Sequence, residues 1–272
     1  MVTIKSRPRR RIGAVIAGFL AATAVAGAAS AQPAQLPALP PASLPPASPP
    51  APIPPLMAPA NMPNFEGTWK LATPTKTLKP ASGQVPFTAE GRKQYEENKR
   101  LKAKGALDDY DITLSRCNNP GVPRLMLTPS RFKIWQRFGV LTFDFEWNRA
   151  LRQINAGTMQ PKDDPIGRRL APSMTGTSVG HWEGDTLVAQ TTNLSDRTLL
   201  DDLLPHTVDI KVTERFRLID ADTLEERITI DDPAYFTQPW ETVLIFKRQQ
   251  PVLFREDICL DRREAGQPAF PQ

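Results

Sequence analysis

Alternation between apolar and polar residues limits the fold of this chain more than any other feature. Leu141, Phe143, Phe145 and Trp147 alternate with Thr142, Asp144, Glu146 and Asn148. A period of two puts one set on a buried face and the other in water, the pattern of a half-buried strand. Phe132, Ile134 and Phe138 alternate with Lys133 and Arg137 in the same way. Glu183-Gly184-Asp185 is a tight turn between a strand ending at Trp182 and a second over Thr186 to Thr192. Asp220-Ala221-Asp222 joins Val212–Ile219 to Leu224–Ile230, and strands over Trp240–Arg248 and Val252–Cys259 follow. With a first strand at Phe65–Leu71, these segments predict an antiparallel meander closing into an up-and-down barrel of about eight strands, with room for one small ligand. A two-sheet sandwich is the alternative fold.

One helix interrupts the strands. Thr88 is a suitable N-cap, Glu90 complements the positive end of the helix, and Gly105 stops it after the basic residues Lys99, Arg100, Lys102 and Lys104. Its apolar stripe is thin (Tyr95 and Leu101), which predicts a helix lying on the surface of the domain.

The first 63 residues do not read as part of the domain. Lys5, Arg7, Arg9, Arg10 and Arg11 precede an uncharged run from Gly13 to Gly27, and Ala29-Ser30-Ala31 is a small-x-small cleavage site. Residues 1–31 therefore read as a signal peptide, with a mature chain beginning at Gln32 in the periplasm or outside the cell. The apolar run is shorter than the ~20 residues of a membrane span, and no stable span is expected after cleavage. Residues 32–63 hold 13 of the chain's 29 prolines and read as an extended linker before a domain over 64–272. The precursor carries a formal charge of +5, but loss of five basic signal residues from 34 leaves 29 against 29 acidic ones. A mature chain with no net charge has no field for a nucleic acid.

Phe65-Glu66-Gly67-Thr68-Trp69, Cys117-Asn118-Asn119-Pro120-Gly121-Val122-Pro123-Arg124 and Gly180-His181-Trp182-Glu183-Gly184-Asp185-Thr186-Leu187-Val188 stand out as motifs. So do Pro205-His206, Val212-Thr213-Glu214-Arg215-Phe216 and Ile230-Asp231-Asp232-Pro233. Together they resemble a group of exported bacterial proteins, mostly without assigned function, that carry lipocalin-like barrels. The resemblance covers most of residues 64–260 and implies the barrel, with no particular chemistry. Thr177 departs from the group, which often has a histidine there, and this weakens any role for a histidine pair at that hairpin.

The only cysteines, Cys117 and Cys259, are expected to form a disulfide in an oxidising compartment. Neither C-x-x-C nor H-x-x-x-H occurs, which argues against a zinc site. No glycine-rich phosphate loop, G-x-S-x-G elbow or H-E-x-x-H helix is present, so neither a nucleotide cofactor nor a hydrolase triad is expected.

Glu214 is the sharpest anomaly, because it shares a strand face with Val212, Phe216 and Leu218. A carboxylate on an apolar face is costly unless paired or functional. It reads either as an acid–base residue or as the partner of an arginine such as Arg149 or Arg152. His206, held by Pro205 just before that strand, is the candidate second proton carrier, with a loop histidine bonded to backbone as the alternative. Glu146 shares a strand face with Asp144, and two carboxylates can divide acid and base roles. Arg124, Arg149, Arg152, Arg197 and Arg215 are candidate clamps for a ligand carboxylate.

Two functions compete on this reading. One is a cofactor-independent lyase, decarboxylase or isomerase acting by acid–base chemistry at Glu214 and His206 on a small aromatic or apolar organic acid. The other is a non-catalytic periplasmic protein that binds a small molecule in the barrel.

Overall fold

A computed structural model describes residues 62–137, 139–157 and 171–271. The signal peptide, nearly all of the linker and Phe138 lie outside the described residues. Nine strands close a barrel in sequence order: β1 (Gly67–Leu71), β2 (Phe132–Arg137), β3 (Val140–Phe145), β4 (Leu151–Asn155), β5 (Thr177–Glu183), β6 (Thr186–Thr192), β7 (Lys211–Asp220), β8 (Thr223–Asp231) and β9 (Trp240–Gln249). β1 pairs with both β2 and β9, which closes the ring and disposes of the sandwich alternative. Eight of the neighbouring pairs are antiparallel. β4 and β5 are parallel, meeting at Asn155 opposite Val179. This departs from a pure meander for a topological reason. Nine strands cannot alternate in direction all the way round a ring, so one pair must be parallel. A parallel pair needs a long return connection, and residues 156–176 supply its length.

Two elements depart from the sequence expectation. β4 was not anticipated from the sequence, because Leu151-Arg152-Gln153-Ile154-Asn155 puts an arginine where alternation calls for an apolar residue. Conversely, the stretch Val252–Cys259 is not a strand: the chain runs without ladder pairing until a short helix at Cys259–Glu264, α3. β9 is already paired on both sides, by β8 and β1, so no edge remains for a further strand. Trp147 likewise leaves β3 and enters a single helical turn whose Asn148 and Arg149 have φ near 50°, so the chain reverses into β4.

Aromatic rings fill much of the interior. Phe132 meets Phe143, Phe145 and Phe246 at centroid distances of 5.9, 5.3 and 5.1 Å, and Phe143 meets Phe216 at 5.5 Å. On the outer face of β7 to β9, Arg217 pairs with Glu225 and Arg227 with Glu241.

The expected helix is α1 (Ala89–Ala103), capped by the Thr88 hydroxyl, which accepts from the Gly91 N–H. Gly91 lets it approach the chain closely, since a Cβ there would sit 2.2 Å from the Tyr235 carbonyl oxygen. Beside this contact, Phe87, Phe236 and Trp240 meet in succession, the first pair tilted and the second edge-on, at the end of the barrel where β9 begins. A second short helix, α2 (Ile112–Arg116), ends at Cys117, and Cys117 is joined to Cys259 at the start of α3 by a disulfide with a Cα separation of 5.7 Å.

Candidate functional site

The barrel interior contains a charged cluster enclosed by apolar walls. Glu214 points inward from β7 and is fully buried, as are its neighbours Val212 and Phe216. Arg152 enters from β4, and its Nη1 donates to Glu214 Oε1 at 2.7 Å while Nη2 bonds the other carboxylate oxygen. Nη2 also donates to Thr191 Oγ1 at 3.2 Å, and Ser178 Oγ lies 2.8 Å from that hydroxyl. The guanidinium stands 5.7 Å from the Phe143 ring centroid, within cation–π range. In the register of β5, β6 and β7, Gly180 lies opposite Ala189 and Ala189 opposite Glu214, and a Cβ at Gly180 would press on Ile154 of β4 at 2.9 Å.

A third ionisable group belongs to this cluster. Glu226 is fully buried on β8, where Leu224, Ile228 and Ile230 share its face. It stands opposite Phe216 in the register that places Glu214 opposite Ile228, so the two carboxyl groups are diagonal neighbours on adjacent strands. The Glu226 carboxyl is hydrogen-bonded to Glu214, whereas Arg152 Nε has no hydrogen-bond partner among the described residues. Burial, then the nearby charge of Glu214 and the hydrogen bond to it, raises Glu226 well above the ordinary glutamate range, with Arg152 pulling the other way. Burial beside an ion pair thus favours the neutral carboxylic acid form of Glu226, which can donate to the Glu214 carboxylate. Sequence reasoning missed it, although the alternation that exposes Glu214 applies equally to Leu224-Glu225-Glu226-Arg227-Ile228.

His206 sits apart from this cluster, in the loop before β7. Its Nδ1 lies 2.8 Å from the Thr207 carbonyl oxygen and its Nε2 2.8 Å from Thr198 Oγ1. A carbonyl can only accept, so Nδ1 carries the proton. Burial lowers the pKa of the imidazole, against the smaller pull of the Thr207 carbonyl, Asp232 and Asp196. Burial favours the neutral ring, and the single Thr198 hydroxyl proton is shared between Nε2 and the Ser195 carbonyl oxygen 2.9 Å away. Both nitrogens are thus engaged, and no hydrogen bond or shared partner joins His206 to Glu214. His206 does share a polar cleft of about 360 Å³ with Arg197, Tyr110 and Tyr235.

The remaining arginines mostly bind the protein itself. Arg124 is buried and grips Asp111 through two bonds of 2.8 and 2.7 Å, with Asp202 at 3.2 Å. Arg149 holds Asp144 at 3.0 Å, and Arg215 holds Glu183 at 2.6 Å on the outer surface. Glu146 is clamped by Arg131, whose hydrogen bond is the main cause of its lowered pKa. Arg197 is the exception: its side chain has no hydrogen bond or ion pair among the described residues.

No protein-family model and no curated protein matches the chain. Among solved structures it is similar to a mutant of the fluorescent protein UnaG, with 15% identity over 69% of this chain and 97% of that one, and a TM-score of 0.31.

Proposed function

We propose that this chain is an exported small-molecule binding protein that receives its ligand inside the barrel, at Arg152, Glu214 and Glu226. The buried and unpartnered Arg152 Nε–H of this cluster carries this reading. A buried polar group without a hydrogen bond costs about 1–3 kcal/mol. That donor is a liability in the empty protein, and a ligand acceptor would remove it. The phenylalanine rings supply the apolar wall that such sites combine with a few polar groups. The lyase reading asks more, since Glu214 and His206 would have to face one substrate, and binding needs the cluster alone.

The cluster is closed to solvent, so a ligand enters and leaves only when interior side chains part. Slow exchange follows, and a natural ligand should survive purification. Native mass spectrometry of the chain isolated from its producing cells should show a protein beginning at Gln32 and carrying a small molecule. The Glu226→Leu variant should show the same protein mass without it. A small molecule retained equally by both would place the binding site elsewhere.

A further inference from the structure

A second cavity, lined by no strand of the barrel, has walls that the fold itself holds in place. It has a volume of about 570 Å³ and lies between the chain just after β1, α2, the turn at Arg124–Leu127 and the C-terminal residues 268–271. The Cys117–Cys259 disulfide ties the end of α2 to the start of α3, from which the C-terminal wall continues. That wall is fixed again where the Ala269 carbonyl accepts from Trp147 Nε1 at 2.8 Å and Phe270 packs on the Trp147 ring at 5.1 Å. The wall after β1 is pinned where the Lys76 carbonyl accepts from the Asp202 N–H at 3.1 Å.

Leu114, Leu127, Pro129 and Phe270 give this cavity apolar walls. Apolar walls with a few polar groups, around a space of about 300–1,000 Å³, are the usual form of a small-molecule site. Three charged residues also line it: Arg124, Asp202 and Lys76. Arg124 spends both terminal nitrogens on Asp111 and Asp202, and Asp202 is held in turn by Lys102 at 3.1 Å. Those charges answer one another within the protein. The Lys76 ammonium has no hydrogen bond or ion pair among the described residues, so the charge left open on the wall is positive. We propose that this cavity binds a small aromatic or apolar monoanion, its body between Leu114, Leu127, Pro129 and Phe270 and its carboxylate on the Lys76 ammonium. This site is separate from the barrel cluster and needs none of its residues.

A matched pair of aromatic probes tests this: 2-naphthoate and 2-naphthamide, titrated calorimetrically into the mature chain at pH 7.5 after any copurified ligand has been removed. The naphthoate should bind about fivefold more tightly than the amide, the preference expected of an ion pair made at an exposed lysine. Lys76→Gln, a change on the surface, should remove that preference and leave the amide affinity as it was. Leu114→Trp places a larger ring on the half-buried wall and should abolish binding of both probes, with a far-UV spectrum and melting curve that show the chain still folded. Glu226→Leu should bind both probes as the parent does, which separates this site from the barrel cluster. Equal or tighter binding of the amide by the parent, or a preference for naphthoate that survives Lys76→Gln, would overturn the assignment of an anion to Lys76. Naphthoate binding unchanged in Leu114→Trp, or lost in Glu226→Leu, would overturn the site, as would binding of neither probe.

Discussion

Glu226 and Glu214 occupy equivalent positions in the sequence pattern and play opposite parts in the structure. Glu214 is ion-paired with Arg152, and burial favours the protonated form of Glu226 beside it. That proton gives stability a specific pH dependence. The pKa of Glu226 is higher in the folded chain than in the unfolded one. Its contribution is complete below the ordinary glutamate range of about 4.3 and is lost as pH rises through the raised folded value. Glu226→Gln has no such titration, so its melting temperature relative to the parent should climb as pH rises from about 4.3 upward. Thermal melts across that window check the point, and a constant difference would mean that Glu226 is ionised like an ordinary carboxylate. At this scale the sequence was partly legible. Glu214 stood out on an apolar face, and Arg152 was one of two arginines considered for it. The choice between Arg149 and Arg152 was not readable, because it depends on the left-handed turn at Asn148 and Arg149, which sends Arg152 inward and leaves Arg149 to Asp144. The pairing of His206 with Thr198 was hidden for a related reason, since neither residue lies in an element with a readable period.

At the scale of elements, the hairpins were the most legible part. Thr186–Thr192 matches β6 to the residue, and β7, β8 and β9 extend only slightly beyond the expected spans, because a turn such as Glu183-Gly184-Asp185 and a run of alternation define each other. The parallel contact of β4 with β5 was not legible, since it follows from the number of strands in the closed ring and not from any local residue. The disulfide links two elements that sequence did not define, α2 and α3, across a separation of 142 residues. Loop-closure entropy for so long a span sets an upper estimate of about 5 kcal/mol for its contribution. Replacing both Cys117 and Cys259 with serine should lower the unfolding free energy in urea by up to that amount. An unchanged midpoint would show that other contacts pin the C-terminal segment by themselves, such as the bond from Trp147 Nε1 to the Ala269 carbonyl.

The whole molecule combines a barrel lined with aromatic rings and a polar cluster that is balanced in charge but incompletely hydrogen-bonded. Filling a barrel of this size with side chains is enough to stabilise it, so the cluster is not needed to hold the fold together. Replacing buried ionisable groups by apolar ones of similar volume is often neutral or stabilising, by about 1–4 kcal/mol. A function that uses the cluster would thus be retained at some loss of stability. Melting of the parent and of Glu226→Leu, both freed of any copurified ligand, tests that trade directly. The account predicts that Glu226→Leu melts higher than the parent. A Glu226→Leu variant that melts lower would show the carboxyl to be part of the scaffold.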